Sequence, residues 1–355
     1  MENIIIYRIG SLGDTIVALP CFHKIAQSFP DSTRIILTNV PVSSKAAPLE
    51  AILGDSGLVH RAIAYPIGAR SPLRLWRLAR EIRSLNATAL IYLMPTRGRI
   101  RQLRDRLFFR MCGLRRVIGY PRDIDLYRLR KDPATGFCER ECERLARTLR
   151  ELGAIDLNSR ASWDLRLNEQ ERSAASAITA RFGTTPFFAI NMGGKLPVQD
   201  WGVDRWDTLL SALGKIYPSY GLLIVGGAED SHRAAKITQI WPNVVVNACG
   251  ILTPRQSAAA LEGASIFVGH DSGPLHLAAA RNVACVGLFG NNWPPRKWHP
   301  YGQQHRIIHR GEGISSIRVE DVIAAVAQIL APEHISSESR LTGHVSPRSS
   351  SSAIT

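Results

Sequence analysis

The chain lacks most of the signatures that assign a function at once. Its 355 residues contain no G-x-G-x-x-G dinucleotide loop, no G-x-x-x-x-G-K-[ST] phosphate loop and no G-x-S-x-G nucleophile elbow. These absences count against a nicotinamide enzyme, a P-loop nucleotidase and a serine hydrolase. Six scattered cysteines form no C-x-x-C pair, and no histidine cluster has zinc-ligand spacing. No apolar run approaches the roughly 20 residues of a membrane span. The opening stretch MENIIIYRIG has no basic leader and reads as a first strand, so a cytoplasmic, reducing location with buried or idle thiols is expected. Acids are scarce as well: 30 Asp and Glu stand against 44 Lys and Arg, a formal charge of +14. That excess points to an anionic partner, whether nucleic acid, a phosphorylated glycolipid or a membrane surface.

What is present is an ordinary globular balance, 45% hydrophobic and 21% charged, over a length that suits two domains. Short apolar runs alternate with helical periodicity. Strands are expected at Asn3 to Arg8, Arg34 to Asn39, His60 to Ala64 and Ala89 to Leu93, with helices over Thr15 to Phe29, Leu73 to Leu85 and Glu139 to Leu152. Periodicity lapses from Gly153 to Asn168, where a domain boundary is expected. The plan then repeats, with strands at Phe187 to Met192, Gly221 to Gly226, Val244 to Asn247, Ser265 to Gly269 and Ala284 to Phe289 and a last helix from Arg318 to Leu330. This is the rhythm of α/β halves built on parallel sheets, with one cleft between them. The serine-rich end, residues 334–355, reads as a disordered tail.

Four loops follow expected strands, at the edge where open α/β sheets bind ligands. In Arg8 to Pro20, Gly10 and Gly13 allow a tight loop and Asp14 stands at the threshold of a helix, either as a cap on the N–H of Ile16 or Val17 or as a general base at a cleft mouth. In Ile190 to Gly202, Gly193 and Gly194 let a ligand approach the backbone beside Lys195, unless they are an ordinary turn. Glu229 and Asp230 follow a strand ending in two glycines, where a carboxylate either accepts from ribose hydroxyls or complements a helix start. The fourth loop, His270 to His276, puts Asp271, Ser272, Gly273 and Pro274 at a helix N-terminus whose N–H groups suit a phosphate. His276 lies in the first turn, where its imidazole either faces that phosphate or is a satisfied structural residue.

One further segment is distinctive. From Arg97 to Lys131 there are twelve Arg or Lys against three Asp, interleaved with apolar residues at helical intervals. It is either a solvated basic helix or a surface that holds phosphates or carboxylates.

Together, R-I-G-S-L-G-D-T-I-V-A-L-P at the N-terminus, W-G-V-D-R-W at Trp201 to Trp206, D-S-G-P-L-H at Asp271 to His276 and L-F-G at Leu288 to Gly290 resemble glycosyltransferase family 9, the heptosyltransferases of the bacterial lipopolysaccharide inner core. The resemblance covers most of Met1 to about Leu330. It implies a GT-B architecture, two Rossmann-like doubly wound α/β domains facing a central cleft, with residues 1–160 binding acceptor and 165–332 binding nucleotide sugar. It further implies inverting, metal-independent transfer, with no cofactor and an ADP-linked sugar as co-substrate.

Carried over residue by residue, the resemblance makes Asp14 the base that deprotonates the acceptor hydroxyl. Asp271 would hold donor sugar hydroxyls, and Ser272, Gly273 and His276 would meet the diphosphate. Gly193, Gly194 and Lys195, with Glu229 or Asp230, complete the donor side; Gly10, Ser11, Arg97, Arg99, Arg101 and Arg104 form the acceptor side. Relatives often carry a lysine just before the tryptophan at position 201; here Gln199 and Asp200 stand there, and Lys195 is the nearby substitute.

The partners expected are a nucleotide sugar, an anionic glycolipid or glycan, and peripheral contact with the cytoplasmic face of the inner membrane. The alternative is a GT-B enzyme with another nucleotide sugar, or with another polysaccharide or a protein as acceptor. The basic residues lack an RNP, helix-turn-helix or zinc-finger context, so nucleic acid is not an expected partner.

Overall fold

The computed structural model describes residues 2–39, 49–65, 71–122, 126, 128–194, 196–237 and 239–331. Lys195 and the tail at 334–355 lie outside these. In the first half, strands β1 (Asn3–Tyr7), β2 (Thr33–Thr38), β3 (Arg61–Ala64), β4 (Ala89–Tyr92) and β5 (Val117–Ile118) make a parallel sheet in the order β3-β2-β1-β4-β5. The helices are α1 (Leu12–Val17), α2 (Leu19–Ser28), α3 (Glu50–Leu53), α4 (Pro72–Ser84), α5 (Arg99–Met111) and α6 (Glu141–Thr148). After α7 (Glu169–Thr179) come β6 (Phe187–Asn191), α8 (Val203–Ile216), β7 (Gly221–Ile224), α9 (Ser231–Ile237), β8 (Val245–Asn247), α10 (Pro254–Leu261), β9 (Ile266–His270), α11 (Gly273–Ala280), β10 (Cys285–Phe289), β11 (Arg306–His309) and α12 (Val319–Leu330). Their sheet is also parallel, ordered β11-β10-β9-β6-β7-β8.

Both sheets start in the middle, run to one edge and cross back. The order therefore reverses between β1 and β4 in one and between β6 and β9 in the other. Loops leaving a pair of strands at such a reversal diverge to opposite faces and leave a crevice at the carboxyl edge. The loops after β1, β6 and β9 are three of the four singled out by sequence, and the fourth follows β7, beside β6.

Alternation along buried strands divides the core. Ile4 and Ile6 of β1, with Phe187 and Ala189 of β6, enter one apolar cluster shared by both halves, with Ile16, Phe22, Leu275 and Leu277 from the helices between the sheets. Ile5 and Tyr7 point the other way, under α4 and α5. Phe188 and Ile190 point under α8 and α12. Arg255 on α10 joins the halves through polar atoms: it is buried, pairs with Glu171, and donates to the carbonyls of Ile52 and Leu165, each at 2.9 Å.

The Trp201 to Trp206 motif is core. Both indoles are fully buried, Trp201 donating to the Ile317 carbonyl at 2.9 Å and Trp206 to Nε2 of His270 at 3.1 Å. Truncating either to Ala costs about 3–5 kcal/mol by cavity formation. Gly202 between them has φ 98°, a left-handed conformation that lets the chain turn from the buried Trp201 into α8. All six cysteines are free and buried.

Two expectations change in detail. The single helix expected over Thr15 to Phe29 is two helices meeting at Ala18, the first starting at Leu12. The strands β5 and β11 were not expected: β5 has two residues, and β11 is a short Arg-Ile-Ile-His at a sheet edge, too brief or polar to stand out as an apolar run.

Candidate active site

Arg8 fixes the first loop. Its backbone N–H continues the ladder to the Leu37 carbonyl at 3.1 Å, and its fully buried guanidinium donates to the carbonyls of Leu93 (3.0 Å) and Asp14. One side chain thus ties together the loops after β1 and β4. Gly10 donates to Oδ1 of Asn39 at 3.0 Å and lies beneath Asp14: a β-carbon at Gly10 would stand 2.4 Å from Cβ of Asp14.

Asp14 is not the cap itself. The helix begins two residues earlier, and Asp14 sits in its first turn with Oδ2 accepting from the N–H and Oγ of Ser11 at 2.9 and 3.0 Å. The cap on Ile16 or Val17 is thereby replaced by a bond back to Ser11, because Leu12 is already helical. Among the described residues Oδ1 has only Arg8, at 4.0 Å, and a quarter of the side chain is exposed.

Across the cleft, α11 packs directly on α1. Ser272 is its N-cap residue by position, but its Oγ donates to Oδ1 of Asn191 at 3.0 Å and no side chain caps the helix, leaving the first-turn N–H groups to the cleft. The Asp271 carboxylate accepts from Nε2 of Gln199 at 3.4 Å. Burial pushes its pKa up to about 7, with Asp14 adding to the rise and the Gln199 amide opposing it. Gln199 thus meets Asp271 with a neutral amide and brings it no charge.

His276 has the packed setting of the two left open by the sequence. It is 4% exposed, its ring lies against Gly13, and burial lowers its pKa to about 4, so it is neutral and brings no positive charge to a phosphate. It also walls a cavity of about 480 Å³ at the opposite ends of α1 and α11, lined by Val17, Ala280, Arg140, Arg296 and Tyr301. That cavity is separate from the helix tips bearing Asp14 and Asp271.

The acidic pair after β7 divides. Asp230 turns inward between Gly193 and Gly226, where β-carbons would lie 2.4 and 2.5 Å from its Oδ2, and it accepts from the Gly227 N–H at 3.1 Å; burial raises its pKa. Glu229 is exposed. Gly193 is therefore needed for Asp230, while the nearest contact to a β-carbon on Gly194 would be the Gln199 backbone at 3.4 Å.

Of the four arginines expected on the acceptor side, two share Asp105 as a partner and two do not. Arg97 donates to Oδ2 of Asp105 at 2.8 Å and to the Tyr7 hydroxyl at 3.2 Å, and Arg104 donates to the other Asp105 oxygen at 3.2 Å. Arg99 and Arg101 are exposed on α5.

A cation that sequence reasoning passed over completes the site. Lys297 is 7% exposed, its Nζ lies 4.6 Å from the ring centre of Trp293 and 5.3 Å from that of Trp298, and its backbone carbonyl accepts from the Glu141 N–H at 2.8 Å across the halves. Burial lowers its pKa, while Glu141 and Asp14 favour the charged form. Glu141 itself is claimed by Arg144 at 2.6 Å. Arg8, Arg144 and Lys297, all buried, thus face the buried Glu141 and the partly exposed Asp14, three cations to two anions, an imbalance that favours an incoming anion. The readable signal was a lysine flanked by tryptophans in W-P-P-R-K-W. Among the described residues, no three His, Cys, Asp or Glu side chains are grouped so as to hold a metal ion.

Two parallel, doubly wound sheets meeting at the carboxyl-edge loops of their reversal points give the chain the GT-B fold. Residues 76–322 match the family model described as glycosyltransferase family 9 (heptosyltransferase), and the chain belongs to that family. Among solved structures, it resembles the family 9 glycosyl transferase of Veillonella parvula DSM 2008 with a TM-score of 0.71 at 18% identity, over 92% of this chain and 97% of that one. It also resembles the E. coli ADP-heptose lps heptosyltransferase II (TM-score 0.64, 17% identity, 93% and 98% covered). A third likeness is to the E. coli heptosyltransferase WaaC with ADP-2-deoxy-2-fluoro heptose (0.61, 14%, 92% and 99%). A sequence search of curated proteins gives no match.

Proposed function

We propose that this glycosyltransferase moves heptose from ADP-heptose, with inversion and without a metal ion, onto an anionic glycolipid such as the lipopolysaccharide inner core. The observation that carries the reading is the meeting of Asp14 and Asp271 at the tips of two packed helices, one from each sheet. In the proposed step, Oδ1 of Asp14 takes the acceptor hydroxyl proton as that oxygen bonds to the anomeric carbon from the face opposite the nucleotide. The carbon–oxygen bond to the diphosphate breaks, and ADP leaves with the electron pair. The open N–H groups of α11 and the Lys297 and Arg8 cations offset the charge gathering on the leaving group.

Residues 165–332 form the donor half in this proposal. Gly193, Gly194 and Lys195 line the diphosphate, Ser272 and Gly273 offer backbone N–H groups, and neutral His276 acts by packing on Gly13. Glu229 takes the ribose hydroxyls, a choice supported by its exposure beside the inward-turned Asp230. Asp271 holds sugar hydroxyls. Residues 1–160 form the acceptor half, with Gly10 and Ser11 at the reacting hydroxyl and Arg97, Arg99, Arg101 and Arg104 toward the anionic groups of the acceptor. We place the enzyme in the cytoplasm, at the inner face of the membrane; no helix among the described residues is long and apolar enough to cross one.

The test is transfer from a panel of ADP-, UDP-, GDP- and TDP-sugars to lipid acceptors, with and without EDTA, reading product anomer by NMR. Turnover with ADP-heptose that survives EDTA and inverts the anomer supports the reading. A preference for another nucleotide, or retention, overturns it.

A further inference from the structure

The outer face of α5 is built opposite to an ordinary surface helix. Its buried positions include the polar Gln102 and Asp105, whereas Ile100 is 86% exposed and Leu103, Leu107 and Met111 are each more than half exposed. At 100° per residue these four fall within an arc of about 80°, on the side away from Asp105 and Phe109. Exposed Arg99 and Arg110 flank the stripe on one side and Arg101 and Arg104 on the other. The neighbouring α4 continues the surface with exposed Leu73 and Trp76, the indole lying 5.7 Å from the guanidinium of Arg80. The two helices cover the same side of the first sheet, and Arg83 at the end of α4 donates to the Met111 carbonyl at the end of α5. Together they carry nine arginines against Glu81 and the buried Asp105.

We propose that this face docks onto the surface of an anionic lipid bilayer. An apolar stripe bordered by cations buries its side chains at the boundary of headgroups and acyl chains while the arginines meet lipid phosphates. An exposed tryptophan beside an arginine suits the same depth, its ring apolar and its N–H polar. The Asp105 cluster explains why the helix can afford this orientation: Tyr92, Arg97 and Arg104 satisfy the carboxylate inside, so the apolar residues are left outside. Trp76 and Ile100 lie toward the N-terminal ends of their helices, which follow the carboxyl edge of the sheet and hence the cleft. A bound membrane would present a lipid-borne acceptor on that side, and in this respect alone the inference rests on the proposed transfer to a glycolipid.

The test is co-sedimentation of the full chain with vesicles of phosphatidylcholine alone and of phosphatidylcholine with phosphatidylglycerol, in rising sodium chloride. The wild type is expected to bind only the anionic vesicles, less at high salt. The triple variant Ile100→Ser, Leu103→Ser, Leu107→Ser is expected to bind about tenfold more weakly or worse, with an unchanged melting temperature because the three side chains are exposed. Equal binding by variant and wild type overturns the inference, as does no binding by either. A wild-type dimer that the variant turns into a monomer, without vesicle binding, also overturns it and assigns the face to a second copy. Transfer to a delipidated acceptor separates the two readings. If that transfer persists without vesicle binding, only the docking face fails; if vesicles bind but no sugar moves, only the transfer fails.

Discussion

Leu12 occupies the space that a side chain on Gly273 would need. A β-carbon at Gly273 would lie 2.4 Å from Cδ2 of Leu12, and in the reverse direction one at Gly13 would lie 3.0 Å from Cδ2 of His276. Each helix approaches the other over a glycine, and this sets the separation of the tips that carry Asp14 and Asp271. Gly273→Ala is therefore expected to push α1 and α11 apart, lowering stability by about 1–3 kcal/mol through overpacking. Turnover should fall by roughly 100-fold through misplacement of the base. Gly13→Ala, which meets only the edge of the His276 ring, should do less of both. Urea denaturation and single-turnover rates of the two variants check the order.

Asp14→Asn keeps an oxygen for the Ser11 N–H and removes the proton acceptor. The expected result is a fall in kcat of about 10²–10⁴, with the melting shift produced by the nucleotide sugar retained. A variant that keeps most of its rate would leave Asp14 with no role beyond closing the first turn of α1.

Asp271 makes stability depend on pH. Its folded pKa, about 7, lies above the ordinary carboxylate value of 3.8, so the folded state holds the proton more tightly than the unfolded chain. Stability contributed by the protonated form is complete below the unfolded pKa, falls as pH rises toward 7 and stays lost above it. Asp271→Asn lacks the penalty. Its unfolding free energy should exceed that of the wild type at about pH 8 by on the order of 2 kcal/mol after discounting for the partly open carboxylate, seen as a higher melting temperature, and the gap should narrow toward about pH 5.

Lys297→Met keeps the apolar stem between Trp293 and Trp298 and deletes the charge. Because a hydrogen bond to a charged group contributes about 1.5–3 kcal/mol, the KM or Kd for an anionic substrate should rise by roughly tenfold to a hundredfold. Stability should hold or improve, since a buried cation is removed. Isothermal titration with ADP and with the ADP-sugar reads the first effect, and thermal melting the second.

Much of the architecture was legible because parallel strands covered on both faces are nearly continuous apolar runs. Asn3–Tyr7, Phe187–Asn191 and Cys285–Phe289 stand out, and each ends in a glycine-bearing loop. The positions of Asp14 and Asp271 at helix starts followed from the same pattern. Their environments did not. Burial of Asp271 and the contact of His276 with Gly13 arise from helices far apart in the chain, and no local periodicity encodes which helix packs on which. The inward turn of Asp230 likewise depends on two glycines more than thirty residues apart, Gly193 and Gly226. Lys297 was passed over because its tryptophan neighbours mark a short irregular segment, not a strand or helix.

The shared apolar cluster between the sheets also bears on how the cleft works in time. With α1 and α11 in contact, a rotation of one sheet against the other turns about that contact. Atoms would move in proportion to their distance from it, so the outer loops would swing widely while the tips bearing Asp14 and Asp271 would barely separate. Such a rotation would change access to the cleft without undoing the approach of the two helix ends.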